Sequence, residues 1–246
     1  MSKILSTAAL AFCALTGTAS ADMYLVQKHH TDPYSIMGAS VPAKDEKSIT
    51  WSSGDKVSIN SDKDTSTILR LDKKMIYIIY RNNKKYSEIN LDEMQKQIDQ
   101  AKGEADNAAA ASGVPGGIAS MMKFSATVTP TAESKTIGKW NSTKYSVATT
   151  MPMGSATTVM WSSTDIKIDY ANLAKMKNFA MSSMPGFADM MKEYQKIKGF
   201  PVLSETTTRM MGMEVKSKEE LVEVSEKAAP AGIYDIPAGF KKKDLK

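Results

Sequence analysis

Apolar and polar residues alternate along much of the chain after residue 48, which is the pattern of β-strands with one buried face. Val57 and Ile59, for example, are each flanked by polar residues. Segments 67–71 and 75–80 are separated by three polar residues and predict a hairpin. Further strands are predicted at residues 124–129, 134–140, 144–149, 157–161, 165–170, 201–209, 213–216 and 221–225. The pattern therefore predicts a mainly antiparallel sheet.

One of these predicted strands differs from the others because both of its faces are apolar. Residues 75–80 read MIYIIY, so side chains on either side of the strand avoid water. We expect a helix or a bound apolar ligand to cover each face.

A first helix is predicted over residues 90–111. Asn90 can cap it, with Glu93 three residues on, and apolar residues recur at spacings of three and four. Glycines and a proline between residues 113 and 117 end this helix and predict a mobile connection.

A second helical stretch is predicted over residues 171–196, where Leu173, Met176 and Ala180 begin an apolar stripe. Pro185 and Gly186 should break it into two pieces, because proline cannot donate the helical hydrogen bond. A sheet together with two such helical segments predicts an α+β fold.

The first 21 residues have the order of a cleavable signal peptide. Lys3 precedes an apolar run over residues 4–15, and small residues at 19–21 end the segment before Asp22. The run is too short to cross a bilayer, so we expect export to the periplasm or the medium, and no later segment is expected to span a membrane. Cys13 lies in this segment, so the mature chain should have no disulfide. We further expect an N-terminal lead-in at 22–45, with one early strand near 34–39, and a single domain at 46–246.

Charge gives little indication of a partner. The formal net charge is +5 and the pI about 9.0, but the basic residues are spread along the chain rather than clustered. This distribution does not favour nucleic-acid binding.

Catalytic signatures are missing from the sequence. The mature chain has two histidines, His29 and His30, both in the expected lead-in, and none of the common nucleophile, phosphate-binding or metalloprotease motifs occurs. We therefore predict no enzymatic activity, no catalytic residue, no cofactor and no metal site.

The chain has 18 methionines, many of them in pairs. They could fill an ordinary core, or line a cavity that adapts to varied apolar ligands. Alternatively, their soft thioethers could hold copper(I), with His29 or His30 assisting. The sequence leaves all three interpretations open.

Several short motifs resemble, in order, those of a family of exported bacterial proteins that carry a domain of unknown function. They lie at Trp51, 70–74, 86–89, 137–140, 144–145, Trp161, 199–202 and 236–240. Such proteins resemble LolA and related periplasmic lipoprotein carriers, in which a curved half-barrel sheet is covered by helices. The resemblance implies an apolar cavity but assigns no functional residue.

We therefore predict a curved antiparallel sheet, a LolA-like half-barrel covered by helices near 90–111 and 171–196. A lipid, a lipoprotein acyl chain or another apolar molecule should bind between sheet and helices, and an envelope protein is a further candidate partner. The predicted ligand-binding residues are Ile76, Ile78, Met94, Ile98, Met176, Met184 and Phe187. The alternatives are an envelope-stress sensor or interaction module with a filled core, and a methionine-rich copper(I)-binding protein.

Overall fold

The computed structural model describes residues 22–36, 38–111, 124–151, 154–166 and 186–244. This part of the chain is mostly β-structure with few helices. Its strands are β1 (Asp22–Thr31), β2 (Tyr34–Ile36), β3 (Ala39–Val41), β4 (Lys44–Ser53), β5 (Lys56–Ser61), β6 (Thr65–Arg70), β7 (Met75–Tyr80), β8 (Lys85–Asn90), β9 (Ser125–Ile137), β10 (Trp140–Met151), β11 (Gly154–Ser163), β12 (Phe200–Met210), β13 (Met213–Lys227) and β14 (Lys241–Lys242).

Twelve of these strands form one large curved sheet that does not close on itself. The spatial order is β14-β8-β7-β6-β5-β4-β1-β13-β12-β11-β10-β9, and β2 pairs with β3 as a separate hairpin. All neighbours in the large sheet are antiparallel except β14 and β8. The sheet thus consists of two meanders, β4–β8 and β9–β13, which β1 joins by pairing with β4 on one side and β13 on the other.

The first ten residues of the expected lead-in, 22–31, are instead a strand of the large sheet. β1 lies near the middle of the sheet, and the early strand predicted at 34–39 is the β2–β3 hairpin. Leu25 and Val26 are both buried although adjacent side chains of a strand project to opposite faces, so both faces of β1 are covered at this point. The second half of β1 is polar, so it lacks the alternation of apolar and polar residues that predicts a strand with one buried face.

Two pairs of predicted strands merge into longer ones. Segments 124–129 and 134–140 correspond to β9 and the first residue of β10, and segments 213–216 and 221–225 are both in β13. An irregular register accounts for the first break, because the pairing of β10 with β9 shifts between Thr143 and Tyr145, opposite residues 131–133. The second break, residues 217–220, reads SKEE and pairs regularly with residues 28–31 of β1, so it reflects polar composition and not a change in the strand. The strand predicted at 165–170 lies largely outside the described residues.

Helix α1 (Leu91–Ala111) begins where it was predicted. The Asn90 side-chain oxygen accepts hydrogen bonds from the backbone N–H groups of Asp92, at 2.9 Å, and Glu93, at 3.1 Å. These bonds satisfy two donors that have no partner within the helix, so Asn90 is the predicted N-cap. Helix α2 (Phe187–Tyr194) follows Gly186, and residues 171–185 of the second predicted helical stretch lie outside the described residues.

The hydrophobic side chains of the described residues form two core clusters. The main cluster contains Leu25, Val57, Leu69, Leu91, Trp140, Trp161, Phe200, Val202, Leu203 and Leu221. The smaller one is built on Val128, Tyr145 and Val147, with Met160, Tyr194 and Ile197 packed against it. Helix α2 contacts β9 here, and the Glu193 carboxylate accepts a hydrogen bond of 2.9 Å from the Val128 N–H. This bond fixes the helix on the sheet.

After β13 the chain crosses to the far edge of the sheet as a C-terminal strap, residues 228–243. Its end pairs with β8 through β14, where Lys241 N–H donates to the Lys84 carbonyl at 2.9 Å and Lys243 N–H to the Tyr86 carbonyl at 2.8 Å. The Ser87 hydroxyl donates to the Lys243 carbonyl at 2.9 Å. The strap therefore occupies hydrogen-bonding groups that an edge strand would otherwise expose.

The buried Arg70 side chain holds the middle of the strap. Its guanidinium makes two parallel hydrogen bonds to Asp72, at 2.9 and 2.7 Å, and a third to Asp235 of the strap at 2.8 Å. It also donates to the Tyr234 carbonyl at 3.3 Å. Arg70 lowers the pKa of Asp72 to about 2 by hydrogen bonding and charge.

Candidate functional site

Two of the predicted ligand-binding residues, Ile76 and Ile78, lie on β7 and share one of its faces, because side chains alternate along a strand. Both are half-buried. Ile76 lies opposite Leu69 of β6 and packs against the main core cluster, which also contains Leu91 at the start of α1. Ile76 and the first residue of α1 therefore belong to one core cluster, and α1 contacts the neighbouring strand β8.

The other face of β7 is also largely removed from water. Ile79 is almost fully buried, and the Tyr77 ring contacts the Tyr86 ring edge-on, with 6.4 Å between their centroids. Burial raises the pKa of the Tyr77 hydroxyl. The apolar character of both faces of residues 75–80 therefore corresponds to burial or half-burial on both faces.

Met94 lies one helical turn after Leu91 and is half-buried. Ile98 and Phe187 belong to α1 and α2, respectively, and the structure describes their backbones. Met176 and Met184 lie outside the described residues. Of the seven predicted residues, those whose side chains are described are Ile76, Ile78 and Met94, and they lie on β7 and on the adjoining helix.

A polar cleft of about 470 Å³ opens over β1, β4 and β13, away from the predicted site. Its lining residues are Lys28, His29, His30, Asp45, Glu46, Lys47, Asp62, Lys218 and Glu220. The register places His30 between Lys218 and Asp45, and Lys28 between Glu220 and Lys47. Because directly opposed residues share a face of a sheet, these side chains form two adjacent rows that each contain two basic residues and one acidic residue.

His30 is the most constrained group in this cleft. Its Nδ1 lies 2.7 Å from Asp45 Oδ1, and its Nε2 lies 3.1 Å from Asp32 Oδ1. The hydrogen bond to Asp45, together with the charges of both carboxylates, raises the pKa of His30. Two carboxylates at the two ring nitrogens favour the doubly protonated imidazolium, so His30 is a poor general base as long as both contacts hold.

The cleft offers ion pairs rather than an array of free reactive groups. Lys218 contacts Glu220 at 3.4 Å, and Lys63 contacts Glu46 at 2.8 Å. Among the described residues, no group of three or more histidine, cysteine or acidic side chains is arranged to hold a metal ion. The expectation that His29 and His30 lie in a lead-in that precedes the folded domain is wrong, since both are in β1, a strand of the large sheet.

Nowhere in the described ranges does a helix combine the length and the apolar character that crossing a membrane requires.

Among known proteins, part of this chain is similar to one family. None of the curated proteins matches this chain. Solved structures with similar backbones include the one described as "Structure of PNGF-II in C2 space group", which is 13% identical with a TM-score of 0.36. That match covers 92% of this chain but only 31% of the other, so this chain spans less than a third of its length. Residues 133–240, from the second half of β9 to the strap, match the family described as "Domain of unknown function (DUF4412)", which supports the predicted resemblance to a family of unknown function.

Proposed function

We propose that the protein is an exported, non-enzymatic binding protein that holds a lipid, a lipoprotein acyl chain or another apolar molecule between its curved sheet and its helices. The observation that carries this proposal is the half-buried state of Ile76 and Ile78 on one face of β7, where Ile76 packs against the cluster that contains Leu91 of α1. Apolar side chains make up most of the lining of binding sites for small molecules.

The start of α1 supports this placement. Leu91 is 3% exposed and belongs to the same cluster against which Ile76 packs, whereas Met94, one turn further along, remains half-buried. The apolar stripe therefore leaves the packed core within one helical turn. An acyl chain that covered Ile78 and Met94 would gain about 0.8 kcal/mol for each buried methylene, without needing a polar anchor.

The proposed architecture is a LolA-like half-barrel. A curved sheet that stays open, with β9 and β14 as its outer strands, is compatible with a cavity that opens between sheet and helices. Methionine suits such a cavity because its side chain is flexible and polarizable.

Native mass spectrometry of protein purified gently from its host's envelope tests this proposal. A co-purifying lipid or acylated peptide is the expected result and would identify the cargo. Bare protein that also fails to bind an added fluorescent fatty acid would contradict the proposal and favour a sensor or interaction module with a filled core.

A pair of variants on α1 locates the site. Met94→Gln should weaken fatty-acid binding, because it places an amide where an acyl chain would lie. Lys96→Gln is the matched control, since Lys96 is an exposed residue of the same helix. Equal affinity of both variants and the unaltered protein would place the ligand elsewhere.

Export has a separate test. Signal-peptide cleavage predicts that protein recovered from the periplasm or the medium begins at Asp22, which intact-mass measurement detects. Protein retained inside the cell with residues 1–21 still attached would contradict export.

A further inference from the structure

Two neighbouring hairpin ends bring three methionines into one row. Met151 of β10 lies opposite Gly154 of β11, Gly154 lies opposite Met210 of β12, and Met210 lies opposite Met213 of β13. Directly opposed residues in antiparallel strands project from the same face. The row therefore runs across four strands, with three thioethers and one position without a side chain.

Gly154 makes room within this row. A Cβ atom there would overlap the Arg209 carbonyl oxygen and stand 3.1 Å from Met210 Cα, so this position cannot carry a side chain without a backbone shift. Neighbouring strands lie about 4.8 Å apart, which places Met151 and Met210 on either side of a gap about two strand spacings wide. Their flexible side chains can swing over Gly154 from both sides, and Met213 adjoins Met210.

Solvent reaches the row. Met210 is 38% exposed, and Met151 and Met213 are half-buried. Exposure to water does not stabilise an apolar patch at a hairpin end. A metal site, in contrast, needs a path by which the ion reaches its ligands.

The turn that joins β12 to β13 is also unusual. Met211 and Gly212 have φ angles of 51° and 80°, which is the turn geometry that favours asparagine, aspartate or glycine at both positions. Met211 is nevertheless a methionine, with 63% of its surface exposed. A fourth thioether thus directly follows Met210 in the chain, at an exposed turn.

Thioethers are neutral, soft ligands that select soft metal ions over magnesium or calcium. The charged residues that flank the β12–β13 turn methionines in sequence, Arg209 and Glu214, contact each other at 2.7 Å. We infer that Met151, Met210 and Met213 form a binding site for a soft monovalent metal ion, copper(I) or silver(I), at the hairpin ends of β10–β13. This site is separate from the proposed apolar site and does not depend on it.

Titration with silver(I) tests the site, and every protein in the test carries Cys13→Ser so that no thiol competes. Isothermal calorimetry should give one tight silver ion per protein. Met151→Leu, Met210→Leu and Met213→Leu should each lower the affinity at least about tenfold, since even outer groups of a metal site contribute that much. These exchanges conserve volume, so the fold should survive, which circular dichroism checks.

Met160→Leu is the matched control, because Met160 is a half-buried methionine of β11 outside the row. It should leave silver affinity within about twofold of the unaltered protein, well short of the loss expected for a lost ligand. In spectra of protein with ¹³C-labelled methionine methyl groups, silver should shift the three methyl signals of the row. Absence of stoichiometric binding, or equal losses in Met160→Leu and the row variants, would overturn the assignment.

Discussion

Gly199 lies just before β12, and alanine there should destabilise the protein severely. Its φ is +83°, in the left-handed region. An added Cβ would overlap the carbonyl group of Ser163 and stand 2.7 Å from the Thr164 nitrogen. Ser163 is fully buried at the end of β11, so this backbone has no free direction in which to move.

The expected loss has two parts. A residue with a Cβ costs about 1–2 kcal/mol in the left-handed region. Forcing atoms into a packed region costs roughly 1–3 kcal/mol more, so the free energy of unfolding should fall by about 2–5 kcal/mol in Gly199→Ala.

Gly212→Ala isolates the first part. Gly212 has a φ of +80°, but no atom lies within 4 Å of an added Cβ, so this variant should lose about 1–2 kcal/mol. Urea unfolding followed by tryptophan fluorescence measures both losses, because Trp51, Trp140 and Trp161 are buried. Equal losses in the two variants would refute the steric argument, whereas a larger loss in Gly199→Ala supports it.

Three further predictions concern charged contacts. Asp45→Asn should lower the pKa of His30, which NMR titration of the imidazole measures. An unchanged pKa would contradict the hydrogen bond between His30 and Asp45. Since folding raises the pKa of His30, its contribution to stability should be complete below about pH 6.5 and be lost as the pH rises through the folded-state pKa. Arg70→Met should lower the free energy of unfolding by about 1.5–3 kcal/mol, because it removes charge-assisted hydrogen bonds, and it should speed proteolysis within the strap. Resistance to proteolysis equal to that of the unaltered protein would show that Arg70 does not hold the strap in place. Glu193→Ala should speed amide exchange at Val128, and unaltered protection there would show that this hydrogen bond does not hold α2.

The sequence predicts the elements whose signals are local. Val57 is 1% exposed on a strand whose alternation is visible in six residues, and the Asn90 cap depends on atoms at most three residues away. The hairpin between β6 and β7 is another such case, since its connection is short. It consists of the helical turn Leu71–Lys73 and Lys74, which adopts the left-handed conformation.

Features that depend on distant pairing could not be predicted. β1 is a central strand because residues near 50 and 225 pair with it, and its own polar half gives no sign of this. The polar cleft likewise combines His30 with Lys218, which are far apart in the chain and become neighbours only through the register of β1 and β13. The methionine row depends on the alignment of two separate hairpins, so counting methionines could not locate it.

The position of β1 also has a consequence for the order of folding. The meanders β4–β8 and β9–β13 each pair strands that are close in sequence, so both can form early during synthesis. β1 is made first, but its second neighbour, β13, is made almost last. Until then a nascent chain that has paired β1 with β4 presents a bare strand edge, which is a template for pairing with other chains. The yield of folded protein should therefore depend on how well residues 22–31 are protected until residues 213–227 arrive.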